Sequence, residues 1–188
     1  PENNGGLSRV DALILYAMIR EEKPKLMIEV GGGESTKISL RALRKNRSAG
    51  YPFKFYSVEP YPKDGLRELD DRDFSLIEEK VQNVNKELLT SADLLFIDSS
   101  HVSKIDSDVN CEILEIVPKL KIGSVIHWHD IVIPKNYWKE WINDGNKFWN
   151  ESYMVQSFML FNETFKIIWS AAYLQLEHFK ELHDVVPY

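Results

Sequence analysis

The sequence contains very little cysteine, and it has fewer basic than acidic residues. Its only cysteine is Cys111, so a disulfide within the chain cannot form and a zinc site built from cysteines is excluded. The 23 Lys and Arg residues against 29 Asp and Glu residues give a formal net charge of -6, which disfavours binding to the phosphates of a nucleic acid. No apolar run approaches the roughly 20 residues that cross a bilayer. These absences predict a cytoplasmic protein without a nucleic-acid or membrane partner.

The remainder of the chain alternates between short apolar runs and amphipathic segments of helical period. The alternation predicts one α/β domain over residues 1–188, with a Rossmann-like, doubly wound, mainly parallel sheet in a three-layer α/β/α arrangement. Because the first residue, Pro1, is not Met, we expect the natural chain to extend upstream of it. The predicted strands are 26–30, 53–58, 74–77, 93–97, 124–128 and a final one at 165–170.

Ionisable residues stand where the four clearest predicted strands end. These endings are Glu29 to Gly33, Glu59, Asp98 to His101, and His127 to Asp130. Ligands of open parallel sheets bind at the carboxyl ends of the strands, and a purely structural sheet has no reason to gather ionisable groups at one edge. The sequence therefore predicts a ligand site at this edge of the sheet.

A run of three glycines follows the first strand. Gly31, Gly32 and Gly33 allow a sharp turn and a close approach of ligand to backbone. Ser35 and Thr36 then begin a helix whose first amides can bind a carboxylate or a phosphate. An ordinary turn between strand and helix is the alternative. A dinucleotide site is disfavoured because its fingerprint requires a third glycine or alanine where Thr36 stands, and because an acid, Glu29, precedes the glycines.

Two further polar residues are candidates for holding a nucleoside. Glu59 follows the second strand, where a carboxylate can accept hydrogen bonds from both ribose hydroxyls of S-adenosylmethionine or NAD. Gln82 follows the third strand, where an adenine ring could be held. The alternatives are a solvated glutamate and an ordinary loop residue.

Through these residues the chain resembles the class I S-adenosylmethionine-dependent methyltransferases, and among them family 24. The resemblance extends from Gly6 to about Leu174. It implies that Glu29 and the glycines surround the methionine part of S-adenosylmethionine, that Glu59 holds its ribose, and that Asp98 lies beside it. The matching segments are Ile28 to Thr36, Val58 to Pro60, Asp93 to Val102, Val125 to Ile131 and Trp149 to Tyr153.

The ends of the fourth and fifth strands are also similar to those of metal-dependent O-methyltransferases of small molecules. The positions that match the metal ligands of those enzymes are Asp98, His129 and Asp130. Mg²⁺ prefers oxygen ligands, so His129 departs from the pattern and leaves room for a softer divalent cation or for none.

Histidines at the same strand ends are candidates for acid–base chemistry. Imidazole titrates near neutral pH and suits removal of a proton from a hydroxyl. We expect His101 to be the general base, because related sugar-modifying methyltransferases have a histidine there, with His129 and Asp98 beside the acceptor. The alternative is that these histidines, with His127, are structural.

Aromatic residues are dense after the fifth strand, and they predict either a lid over the acceptor or packing of the following helix. They are Tyr137, Trp138, Trp141, Phe148 and Trp149.

The function predicted from the sequence is O-methylation of a small hydroxylated molecule, such as a sugar or another natural product. Two other classes stay open: a regulatory domain that binds the cofactor without turnover, and a metal-dependent hydrolase using His101, His129 and Asp130. The sequence does not indicate whether the chain forms a homo-oligomer.

Overall fold

The computed structural model describes residues 7–185 and contains a five-stranded sheet in the order β3-β2-β1-β4-β5. Every neighbouring pair of strands is parallel. This is the predicted Rossmann-like fold class. Residues 1–6 and 186–188, which the predicted domain also includes, lie outside the described residues. The strands are β1 Leu26–Val30, β2 Lys54–Val58, β3 Phe74–Ile77, β4 Leu94–Ile97 and β5 Val125–Trp128.

The order of strands reverses between β1 and β4. The chain first adds strands on one side of β1 and then crosses over to place β4 on its other side. Both strands are almost wholly buried, which explains why every residue in them except Glu29 is apolar. A crevice at such a switch point is where open α/β sheets bind ligands.

Two long helices cover part of this sheet. Helix α1 (Arg9–Glu22) begins with a capping box, in which the Ser8 hydroxyl accepts from the Asp11 amide and the Asp11 carboxylate accepts from the Ser8 amide. Helix α2 (Glu34–Ser48) follows the glycine run. Shorter helices are α3 (Asp64–Arg67) and α4 (Lys86–Thr90). The core under them includes Leu15, Ile19, Leu40, Leu43, Phe55 and Phe96.

The chain forms two compact units. The first runs to Ser99 and includes Ile116–His129, so it holds the whole sheet. The second consists of Ser100–Glu115 and the chain from Asp130 onward. Between residues 7 and 185, none of the helices has the length and apolar character needed to cross a bilayer. The helices of the second unit are α5 Asp108–Cys111, α6 Lys139–Asn143, α7 Glu151–Met159, α8 Ala171–Glu177 and α9 Phe179–Val185.

The prediction of a final strand at 165–170 is wrong. The segment is irregular in the structure. The Asn162 side chain accepts from the amides of Thr164 and Phe165, and the Ser170 hydroxyl caps α8. Local side-chain hydrogen bonds thus compete with strand pairing at both ends of an apolar run.

Candidate functional site

The glycine run makes a turn that excludes side chains at two of its positions. Gly31 has φ 88°, and a Cβ there would lie 1.8 Å from the carbonyl oxygen of Asp98. A Cβ on Gly32 would lie 2.5 Å from the Ser57 hydroxyl and 2.8 Å from the Leu66 side chain. The turn therefore packs against β2 and the end of β4 with backbone alone, which explains both glycines.

A network of buried hydrogen bonds between side chains stabilises the glycine turn. The Gly33 amide donates to the Thr36 hydroxyl at 2.9 Å, and that hydroxyl donates to the Glu29 carboxylate at 2.5 Å. The Ser57 hydroxyl donates to the same carboxylate oxygen at 2.6 Å. Glu29 and Thr36 are both fully buried. In this arrangement Glu29 shapes the turn through protein contacts.

The burial of Glu29 changes its acidity. Burial is the largest influence and raises the pKa of its carboxyl to about 7, while hydrogen bonds from Ser57, Thr36 and Ser35 act in the opposite direction. Desolvation disfavours the charged form, so the neutral acid is much more populated near neutral pH than in an exposed glutamate.

We expect this carboxyl to make stability depend on pH. The folded-state pKa lies above the ordinary value of 4.5, so the stabilisation is complete below pH 4.5 and is lost as the pH rises through about 7. The free energy of unfolding should therefore fall by about 3 kcal/mol across this range through Glu29 alone. Denaturant unfolding at several pH values tests this, with Glu29→Gln as the uncharged comparison. Equal pH slopes in the two proteins would contradict the expectation.

The Glu59 carboxylate is hydrogen-bonded to the backbone of the glycine turn. It accepts from the Gly32 amide at 3.2 Å and from the Tyr61 amide at 2.8 Å, while remaining partly exposed. A carboxylate has about four acceptor positions, so two are left for a ligand. Ser35 is buried in the first turn of α2, and Gln82 lies partly buried in a 3-10 turn, Val81–Asn83, after β3.

The ends of β4 and β5 bring Asp98 and His129 together. His129 Nδ1 lies 3.5 Å from an Asp98 carboxylate oxygen. Its Nε2 lies 3.6 Å from a carboxylate oxygen of Asp11, the residue that also caps α1. The buried imidazole thus lies between two acids.

Burial has different consequences for the groups around His129. Burial raises the pKa of Asp11, but the nearby His129 imidazole and the hydrogen bonds with Ser8 outweigh this and leave the pKa below its ordinary value. Burial, with a smaller contribution from the neighbouring His129, lowers the pKa of His127 to about 4. His127 is therefore neutral near pH 7, and its ring packs against Phe96 at a centroid distance of 5.0 Å.

In the second unit, His101 is fastened to the start of α7. Its Nδ1 lies 2.7 Å from the carboxylate of the fully buried Glu151, and its carbonyl oxygen accepts from the amides of Asn150 and Glu151. Its backbone is left-handed, with φ 59°. Nε2 lies 3.8 Å from an Asp130 carboxylate oxygen, beyond hydrogen-bond distance.

This pairing defines what the imidazole can do. When Glu151 is ionised its carboxylate only accepts hydrogen bonds, so in that state Nδ1 carries the proton and Nε2 of the neutral ring keeps its lone pair. The His101 ring also packs against Trp149 at a centroid distance of 4.1 Å. An imidazole whose orientation is fixed by a buried carboxylate is suited to accept a proton.

In the second unit, the Trp149 ring that packs on His101 belongs to a cluster of aromatic rings. Trp149 packs on Trp141 at 5.1 Å, and Tyr137 lies 6.3 Å from each. The Tyr137 hydroxyl accepts from the Ser152 amide at the start of α7. These contacts support the packing alternative for Tyr137, Trp141 and Trp149, whereas Phe148 is largely exposed.

Sequence reasoning missed two acids that contact the predicted histidines. Asp11 lies in the first turn of α1, more than a hundred residues before His129, and its carboxylate also accepts from the Ser8 amide. Glu151 follows Trp149 and Asn150 in a segment that carries the family resemblance, but nothing in its spacing connects it to a histidine fifty residues earlier. Both contacts arise only from tertiary structure.

Comparison with known proteins agrees with this fold. The structure of a Podospora anserina methyltransferase, PaMTH1, bound to SAH, has a TM-score of 0.59 at 22% identity, covering 81% of this chain and 68% of that one. The O-methyltransferase TomG of Streptomyces achromogenes, in complex with SAM, has a TM-score of 0.54 at 14% identity, covering 83% of this chain and 69% of that one. The fold is that of the class I methyltransferases.

Sequence comparison identifies the family. A family model described as a methyltransferase domain matches residues 28–131, more than half of the chain, and the chain belongs to that family, methyltransferase family 24. An uncharacterized protein of Archaeoglobus fulgidus is 37% identical over 93 residues, which cover 45% of this chain and 38% of that protein. The chain thus matches less than half the length of this relative.

Proposed function

We propose that the protein transfers a methyl group from S-adenosylmethionine to a hydroxyl of a small molecule. The family and the fold support methyl transfer, and the two similar structures hold SAH and SAM. The observation that carries the proposal is the His101–Glu151 pair, because a binding domain without turnover has no need of a buried, oriented base.

In the first unit, the turn at Gly31, Gly32 and Gly33 would receive the methionine part of S-adenosylmethionine, with Ser35 and Thr36 at the start of α2. Glu59 would accept from the ribose hydroxyls with its remaining lone pairs, and Asp98 would lie beside the sulfonium. Glu29 would act by holding the turn in place. Gln82 would contact the adenine.

The reaction makes limited demands on the protein. The acceptor oxygen attacks the methyl carbon, the carbon–sulfur bond breaks, and the sulfur keeps the electron pair as SAH leaves. His101 Nε2 takes the hydroxyl proton, while Glu151 stabilises the imidazolium that forms. The remaining contribution is alignment of the oxygen with the methyl group.

We further propose that Asp98 and His129 are ligands of a divalent cation, which would bind the acceptor oxygen and make its hydroxyl more acidic. Asp11 would then accept from His129 Nε2–H and keep Nδ1 directed at the ion, in the manner of second-shell carboxylates. Asp130, the next residue in the chain, stays a predicted third ligand. A site with an imidazole favours Mn²⁺ or Zn²⁺ over Mg²⁺.

Substitution of Asp98 tests the cation. We expect Asp98→Ala to weaken Mn²⁺ binding, measured by paramagnetic relaxation of water protons, by at least about tenfold. Asp108→Ala is the matched control, because that acid lies in α5 and is engaged with Ser100. Equal Mn²⁺ affinity in the Asp98→Ala variant and the unmodified protein would exclude this site.

Methyl transfer itself is tested with S-adenosylmethionine labelled in its methyl group and a panel of sugars, phenols and hydroxylated amines. We expect labelled product in a reaction that depends on the cofactor. Tight cofactor binding without transfer to any acceptor would instead support a regulatory domain. Breakdown of a substrate in the absence of the cofactor would support the hydrolase.

A further inference from the structure

A lysine ammonium occupies a corner between two indole rings in the second unit. Lys147 Nζ lies 4.8 Å from the centroid of the Trp141 ring and 4.4 Å from that of Trp149. The two rings meet nearly edge to face, with an interplanar angle of 74°. Within residues 7–185, the structure gives this ammonium no carboxylate partner at ion-pair distance. The ammonium charge therefore interacts with the π faces of the two indole rings.

The corner is fixed by its surroundings. The Trp149 ring packs on His101, and Tyr137 packs against both indoles while its hydroxyl accepts from the Ser152 amide. The rings therefore have little freedom to rearrange when the ammonium leaves.

The chain bends so that Lys147 returns over the helix that precedes it. Helix α6 ends before Gly145, Asn146 is left-handed with φ 50°, and the Lys147 amide donates to the Trp141 carbonyl at 2.8 Å. A Cβ on Gly145 would lie 2.9 Å from that carbonyl oxygen. The backbone bond fixes where the lysine stem begins, but the stem has four rotatable bonds and is only partly buried. The two indole rings are held by packing, whereas the lysine side chain can adopt other rotamers.

We propose that Trp141 and Trp149 form a binding site for an organic ammonium ion, and that Lys147 fills this site until such a ligand displaces it. Faces of tryptophan are the best aromatic receptors for ammonium groups, and an alkylated ammonium suits them better than a strongly hydrated primary one. The Trp149 ring also packs on His101, so the cation site and the proposed base contact the same indole.

The location of the cation site also indicates a class of substrate. An acceptor held by its ammonium group here would present a nearby hydroxyl to His101, so the acceptor is a hydroxylated amine. That step rests on the proposed function, whereas the cation site itself does not.

Choline is the probe for the cation site. We expect Lys147→Gln to bind choline about fivefold more tightly than the unmodified protein in titration calorimetry. The reason is that the lysine ammonium no longer competes with choline for the two indole faces. The uncharged isostere of choline, with carbon in place of the quaternary nitrogen, should show no such gain. Adding Trp141→Leu to Lys147→Gln should abolish the gain, whereas adding Phe148→Leu should keep it, since Phe148 is largely exposed. Circular dichroism verifies that each variant is folded.

Three results separate the two proposals. If choline binds Lys147→Gln no more tightly than the unmodified protein, or if the isostere gains equally, the cation site is wrong. If methyl transfer prefers a hydroxylated amine to its N-acetylated form by about fivefold in kcat/KM, and Trp141→Leu removes that preference, the substrate class is supported. If transfer is equally fast for both forms, the substrate class is wrong while the proposed methyl transfer stands.

Discussion

Replacing His101 by alanine should lower the kcat of methyl transfer by about a hundredfold to ten-thousandfold and leave the affinity for S-adenosylmethionine unchanged. The imidazole is the group proposed to take the acceptor proton, and general bases contribute factors of about this size. Its ring lies in the second unit, whereas the proposed cofactor residues lie in the first. Steady-state turnover with labelled cofactor gives kcat, and single-turnover experiments give the rate constant of the methyl-transfer step. Titration calorimetry gives the affinity for the cofactor.

The Glu151→Gln variant separates orientation of the imidazole from its chemistry. The amide can still accept from His101 Nδ1–H, but it no longer stabilises the imidazolium. We therefore expect a smaller loss of kcat, about tenfold to a hundredfold, and a shift of the acidic limb of the pH–rate profile to lower pH. A merely structural role would not move that limb. Unchanged rates in both the His101→Ala and the Glu151→Gln variants would remove His101 from the mechanism.

The parts of the fold that sequence predicts well are those where one property decides the local structure. Strand β1 is a nearly continuous apolar run, interrupted only by Glu29, and the structure places it at the centre of the sheet. Helix α1 has a capping box that can be read directly from Ser8 and Asp11. In each case the pattern and the tertiary environment favour the same conformation.

The candidate site is predicted less completely, because its partners come from separate elements. Sequence spacing places Asp98 and His129 at neighbouring strand ends, since parallel strands share an edge. No spacing rule reaches Glu151, which meets His101 only because α7 begins at the carbonyl of that histidine. The false strand at 165–170 has a different origin, because the local hydrogen bonds of Asn162 and Ser170 are invisible to hydrophobic periodicity.

Gly31→Ala should be the most destabilising single-methyl change in the glycine turn. The residue has φ 88°, and the added Cβ would lie 1.8 Å from the carbonyl oxygen of Asp98, which is backbone and cannot rotate away. We expect a loss of about 3 kcal/mol or more in the free energy of unfolding, since a strained backbone and an overpacked contact are combined. Denaturant unfolding followed by circular dichroism measures it.

Two other glycines separate these contributions. Gly123 has φ 89° but open space around its Cβ position, so Gly123→Ala should lose about 1 kcal/mol from the backbone alone. Gly33 has extended φ and equally open space, so Gly33→Ala should change stability by no more than about 0.5 kcal/mol. The difference between Gly31→Ala and Gly123→Ala is then the free energy of the clash with Asp98. If that difference vanished, the turn would not lie against the end of β4, and the proposed cofactor site would lose the contact that joins its two central strands.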